Sequence, residues 1–344
     1  MPDTKRGIEF HAVTRKDGPP TQAAYRPDRS DEKLTPPACS VLSRLLDEPL
    51  AGTAPVARFW IMLEQPGPWG RKALTQSHLD PALGAALEAA AADHSARVAL
   101  IRRPGPHPDD HRGGARRIWI ASTRPNDSWL LGGQVANVGA LEFLPWDGLA
   151  AGDYDAVREA VPGLEKDTEP LLLVCTNGRR DVCCASFGRP VATAVHQRMP
   201  GRVWETTHLG GHRFAPTCAV LPHGIVHGRM DADAASHVLD EARDGRLVLA
   251  GYRGRSTFEG PGQVAEVAVR EATSLTWLDE LDVVAVEVPD EGHSWRVAIA
   301  HTDGRRWQVD VTTRLLEPPR PESCTGPAVQ PVSYVADGVV LKSG

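Results

Sequence analysis

LLLVCTNGRRDVCC (residues 171–184) opens on four apolar residues, Leu171 to Val174, that read as a buried strand carrying Cys175 at its end. Cys184 follows after eight intervening residues. Further along, RVWETTHLGGH (202–212) has the same plan: Val203 to Thr207 reads as a strand that delivers His208. Gly210 and Gly211 then let the backbone curl tightly, so that His212 can turn toward the same point. Two thiols and two imidazoles suffice for a four-ligand metal or cluster site if the fold brings the two halves together.

The spacing narrows the choice of metal. Paired cysteines of zinc fingers are generally two to four residues apart, whereas this loop has eight. A longer loop bearing glycine and arginine suits a larger object, and two cysteines with two histidines are the ligand chemistry of a Rieske-type [2Fe–2S] centre. The C-x-H boxes of Rieske proteins are missing from the sequence. Buried small cysteines and loop histidines are the bland alternative.

C-x8-C followed by H-x-G-G-H and then R-F-A-P resembles the sucrase/ferredoxin-like family, whose members are similar to thioredoxin-fold [2Fe–2S] ferredoxins. The likeness runs over about residues 38 to 335 and takes in EPLAGTA (48–54), EQPGPWG (64–70) and GGHRFAPT (210–217). It implies that the cluster ligands are Cys175, Cys184, His208 and His212, with histidines in place of the second cysteine pair of the four-cysteine ferredoxins. The family pattern also favours Cys184 over Cys183, which would give C-x7-C. Nothing in the sequence suggests the paired carboxylates of a glycosidase, so no sucrase activity is expected.

The remaining cysteines look unrelated to the site. Cys218, in the alternating PTCAVL, reads as a small core residue, while Cys39 and Cys324 lie in polar, Pro-flanked segments and read as free thiols. Six cysteines so unevenly spread do not form a disulfide framework. A net charge of -6 argues against nucleic acid, and no apolar run reaches membrane-spanning length. The first 36 residues lack the apolar core of a signal peptide and read as a disordered tail, which points to the cytoplasm.

Beyond the tail, the sequence predicts an α/β domain over 37–165, a thioredoxin-like ferredoxin domain over 166–257 and a helix plus β-rich segment over 258–344. In the first, a strand from Ala57 precedes a helix capped by Asp80 with Pro81 at its first position, then strands at 97–101 and 117–122. In the second, strands at 170–175 and 202–207 flank a helix over Pro190–Met199, and the hairpin TCAVLPHGIVHG and a helix from Asp231 follow. The shared order suggests two thioredoxin-like halves, with EQPGPWG in the place of the ligand loop. In the third, Asp303-Gly304 marks a hairpin that pairs Trp295, Val297 and Ile299 with Trp307, Val309 and Val311.

Several other residues invite functional readings. His107 and His111, with Asp109 and Asp110, could hold a second metal, although a Pro-rich loop is more often only solvated. His223 and His227 read as ordinary polar strand positions. Arg179 and Arg180 could steer an acidic redox partner, Arg213 and Phe214 could shield the cluster, and Trp69 is either a docking aromatic or a buried anchor.

The expected function is one-electron transfer by a [2Fe–2S] cluster, with a redox protein, such as a flavin-dependent reductase, as partner. Neutral imidazoles make the ligand set less negative than four thiolates, so the potential should lie well above that of plant-type ferredoxins. Their ring N–H groups should couple protons to electrons if they are partly solvated. A thioredoxin-like dithiol oxidoreductase and a zinc-stabilised binding module are the alternatives; no C-x-x-C supports the first.

Overall fold

The computed structural model describes residues 38–106, 114–289 and 293–343. The expected tail and the group formed by His107, Asp109, Asp110 and His111 lie outside them. A short helix, α1 (Cys39–Leu45), precedes β1 (Phe59–Glu64), an apolar strand buried on both faces. Asp80 then caps α2 (Pro81–Asp93) as the sequence predicts, its carboxylate accepting from the Ala82 and Leu83 backbone N–H groups. β2 (Ala96–Arg102) returns parallel to β1. On the other side of β1, β3 (Arg116–Ser122) and β4 (Trp129–Val135) form an antiparallel hairpin. Helices α3 (Trp146–Ala151) and α4 (Tyr154–Ala160) and the edge strand β5 (Glu165–Lys166) complete this half.

The same arrangement then recurs. β6 (Leu171–Cys175), α5 (Val182–Arg198) and β7 (Val203–Thr206) form a parallel strand–helix–strand unit. β8 (Cys218–Leu221) and β9 (Ile225–His227) add the antiparallel hairpin on the far side of β6. Strand order is β2-β1-β3-β4 in one half and β7-β6-β8-β9 in the other, so both are thioredoxin-like. α6 (Ala232–Arg243), capped by Asp231, buries Ala235, Val238, Leu239 and Ala242 on its inner face, and β10 (Tyr252–Arg255) closes that edge.

One helix departs from its expected limits. The sequence puts this helix at Pro190–Met199, but Asp181 caps α5 nine residues before Pro190 by accepting from the Cys183 N–H at 3.0 Å. Pro190 is accommodated inside the helix. Cys184 therefore stands on its first turn and not on a flexible loop.

Strands β2 and β7 pair antiparallel at Ile101↔Thr206 and Arg102↔Glu205, joining the halves into one ten-stranded sheet. Charge reinforces this short seam. Arg102 Nε donates to Glu205 Oε2 at 2.7 Å, Thr176 Oγ1 donates to the same oxygen at 2.8 Å, and all three side chains are buried.

Past the sheet, α7 (Gly260–Thr273) leads to β11 (Leu281–Glu287), β12 (Ser294–His301) and β13 (Arg306–Leu315). The small pair β14 (Arg320–Pro321) and β15 (Ala328–Val329) and the long β16 (Val332–Ser343) follow. The order β11-β12-β13-β16 is antiparallel, and the expected pairs Trp295↔Val311, Val297↔Val309 and Ile299↔Trp307 are present. α7 carries no exposed polar face along most of its length, because Val264 and Val269 pack on the small sheet while Val267 faces the other core. Its Arg270 and Glu266 are buried as a pair at 3.1 Å.

Removing the carboxylate from the seam leaves the Arg102 guanidinium buried without its partner, which typically costs about 3–5 kcal/mol. Glu205→Ala is expected to lower the denaturation free energy by about that amount; a loss near zero in a urea titration would deny the seam its structural weight.

Candidate metal centre

Cys175 closes β6, Cys184 lies in the first turn of α5, and His208 stands two residues past β7. Their ligand atoms all fall within 4.8 Å of one another, a group able to hold a metal ion. His212 is not part of that trio. It opens a 3₁₀ turn (His212–Phe214), with its ring centroid 5.0 Å from that of His208. Three of the four sequence candidates thus converge and the fourth adjoins them.

Close backbone approach makes this convergence possible. A Cβ on Gly188 would meet the Cys175 carbonyl oxygen at 2.2 Å, so glycine alone lets α5 seat its N-terminal half on the end of β6. In the histidine loop, Gly210 and Gly211 take φ of 82° and 66°. Two arginines that the sequence reading did not single out hold the loop by its carbonyls. Arg97 Nη2 donates to the His208 carbonyl, and Arg253 Nη1 donates to that of Gly210 at 3.1 Å. Arg253 is itself fixed by Thr53, its Nε donating to Oγ1 at 3.0 Å and its Nη2 to the carbonyl. The only trace of this in the sequence is a pair of arginines flanking a glycine in the short strand YRGR (252–255).

Electrostatics inside the site divide the two sulfurs. The hydrogen bond from the Cys184 thiol holds Cys175 well below the ordinary thiol range, with His208 acting in the same direction, while that bond and burial push Cys184 up. Burial pushes the Arg253 guanidinium down to about 9, which leaves it a cation at neutral pH facing the two sulfurs. Burial also lowers His212, against the opposing pull of Asp181, whose Oδ2 lies 3.8 Å from His212 Nε2.

The Nδ1 atoms of His208 and His212 are both buried without a hydrogen-bond partner. A buried, unsatisfied ring nitrogen is costly, and a bound metal relieves that cost. Two sulfurs and two such rings fit either zinc or an iron–sulfur group.

The neighbouring candidates sort out as follows. Trp69 is a buried anchor, its Nε1 donating to the Gln65 carbonyl and its ring lying under Arg102 at 4.1 Å. The Asn177 amide donates to the Gly70 carbonyl at 3.2 Å, so the EQPGPWG loop props the ligand loop. Phe214 is buried; Arg213 stacks on it and pairs with Glu48 at 2.6 Å. His227 is no ordinary polar strand position. It is a core residue bonded to the Val248 carbonyl, and burial pushes its pKa, like that of His223, down to about 4. Cys218 is in the core as expected, and Arg179 is exposed.

Cys39 and Cys324 are free thiols, as expected, but they do not stand apart: Cys39 is buried, and both converge on Cys183 and Asp181 in a second group whose ligand atoms lie within 4.8 Å of one another.

Among the described residues no helix is long and apolar enough to cross a membrane. The family model described as sucrase/ferredoxin-like matches residues 50–254, well over half of the chain and narrower than the 38–335 span suggested by the motifs. No curated protein and no solved structure matches the chain.

A Cβ on Gly211 would meet Arg253 Nη2 at 2.4 Å in a left-handed conformation. Gly211→Ala is expected to cost about 1–3 kcal/mol in a denaturant titration and to lower the metal content of the purified protein. Unchanged values of both would mean that the loop is not pinned against Arg253.

Proposed function

The chain belongs to the sucrase/ferredoxin-like family, and on that premise we propose that it is a [2Fe–2S] electron-transfer protein whose cluster is held by Cys175, Cys184, His208 and His212. The observation that carries the reading is the convergence of Cys175, Cys184 and His208 within 4.8 Å, with His212 beside them. In this reading residues 166–257 form the cluster domain, 37–165 a supporting thioredoxin-like half and 258–344 an appendage.

A bound [2Fe–2S] group supplies reversible one-electron chemistry. The protein sets how readily that electron is accepted. Two imidazoles in place of two thiolates remove negative charge from the ligand set, and the Arg253 guanidinium adds positive charge behind it, so both favour a high potential. His208 and His212 are half-buried, which leaves their rings within reach of solvent protons. Each ring then holds or releases a proton as the charge beside it changes. Asp181, close to His212 Nε2, is placed to orient that ring, as carboxylates commonly do for metal-bound histidines.

The partner in this proposal is an acidic redox protein of the flavin-dependent reductase type, acting in the cytoplasm. Arg179 and Arg189, both exposed at a cavity of about 400 Å³ beside the ligand loop, give such a partner a cationic place to dock.

Ligand identity is tested by iron and sulfide analysis of anaerobically purified variants. Cys175→Ser and Cys184→Ser are expected to lose most iron and the red-brown chromophore, whereas Cys183→Ser keeps both. Normal iron in Cys184→Ser together with loss in Cys183→Ser would reassign the ligand, and a colourless wild-type protein would end the iron–sulfur reading.

The histidines are tested by potentiometry. His208→Cys and His212→Cys add negative charge and should lower the midpoint potential. In the wild-type protein the potential should be flat below both imidazole pKa values. Between the lower pKa of the oxidised state and the higher one of the reduced state it should fall by about 59 mV per pH unit. A midpoint constant from weakly acidic to strongly alkaline pH would remove proton coupling from the proposal.

A further inference from the structure

The second cysteine group adjoins the site just proposed, sharing with it Asp181 beside His212, and its members come from three distant parts of the chain. Cys39 begins α1, Asp181 and Cys183 stand at the N-terminus of α5, and Cys324 lies between β14 and β15. The three sulfurs form a closed triangle: Cys39 to Cys183 is 3.7 Å, Cys183 to Cys324 is 3.2 Å, and Cys324 to Cys39 is 3.6 Å. Both Asp181 carboxylate oxygens lie 3.9 Å from the Cys39 sulfur. Backbone bonds fix that carboxylate, with Oδ1 accepting from the Cys183 N–H at 3.0 Å and Oδ2 from the Cys324 N–H at 2.8 Å.

We propose that Cys39, Cys183 and Cys324, with Asp181 as fourth ligand, form a structural zinc site. In a tetrahedral zinc centre with bonds to sulfur of about 2.3 Å, neighbouring sulfurs stand about 3.8 Å apart, close to two edges of this triangle and somewhat longer than the 3.2 Å third. A disulfide explains the geometry less well. It needs sulfurs about 2.05 Å apart and would leave the third cysteine unpaired, whereas here no two sulfurs are nearer than 3.2 Å. The donor set also suits the ion, because borderline-soft zinc takes thiolate and carboxylate together. A buried carboxylate facing three cysteines calls for a cation; among the described residues the ion pair recorded for Asp181 is the 3.8 Å approach of His212.

Each cysteine enters such a site as a thiolate and releases its proton to solvent, so no oxidant or reductant is required. The effect is a cross-link. It ties α1 and the C-terminal segment to the helix that carries Cys184, joining positions 285 residues apart. Cys39 and Cys324 fall outside the family-matched residues 50–254, whereas Asp181 and Cys183 lie within them, so the site links the matched region to the segments on either side of it.

Zinc and iron are measured separately in full-length protein purified without added metal. The wild-type chain is expected to carry about one zinc per molecule, with three sulfurs near 2.3 Å and one lighter ligand near 2.0 Å by zinc-edge X-ray absorption. Cys39→Ser and Cys324→Ser should each lose the zinc, keep the iron and melt at lower temperature. Cys175→Ser should lose the iron and keep the zinc, so failure of the cluster proposal and failure of this one are separable. If the serine variants do not fold, the absorption measurement on wild-type protein decides the matter. The proposal is overturned by zinc-free wild-type protein, by a Cys183–Cys324 disulfide found on peptide mapping, or by zinc that survives Cys39→Ser but leaves with Cys175→Ser.

Discussion

The β2–β7 seam is the constraint on which the arrangement depends. Only two residue pairs cross it, yet they put the end of one half's second strand beside the end of the other's. The Thr207 N–H donates to the Leu100 carbonyl, and Thr207 Oγ1 accepts from the Leu100 N–H, extending the contact one step toward His208. Glu205 lies at its centre, accepting from Arg102 on one side and from Thr176, in the ligand loop, on the other. A carboxylate taken so far from water is tolerable only with its partners in place, which makes the seam specific as well as cohesive.

The seam also explains why two similar halves do different work. In the first half, the loop after β1 is EQPGPWG; in the second, the corresponding loop after β6 carries Asn177 and leads to Cys184. Trp69 and Arg102 fill the first loop as a cation-over-ring stack, and Gly70 receives Asn177. One half has thus become the wall against which the other half's ligand loop is set.

Much of this was legible in the residues, because it rests on local chemistry. Asp80 and Asp231 announce their helices by capping, Asp303-Gly304 fixes the hairpin register, and the run before Cys175 is too apolar to be anything but buried. The start of α5 was misread because Pro190 is a strong local signal, whereas the Asp181 cap and the demand on Gly188 depend on a neighbour brought in by the fold. Arg97 and Arg253 were invisible for the same reason: their partners are backbone carbonyls of a loop far away in sequence. Nothing in the segments around Cys39 and Cys324 hints that they meet, since that contact exists only after α1 and the strands beyond β13 have docked.

The hold on the HLGGH loop has a consequence for rates. Its carbonyls are bound to guanidinium groups that are themselves tied down, Arg253 by Thr53 and Arg97 across the Trp60 ring. Such dipoles cannot swing far when a charge appears or leaves beside them, so the field at the candidate metal site is fixed in advance. In the electron-transfer function proposed above, that fixed field would keep the reorganisation energy small, and exchange with a partner would be governed by how closely the two surfaces approach and not by the time the loop takes to rearrange.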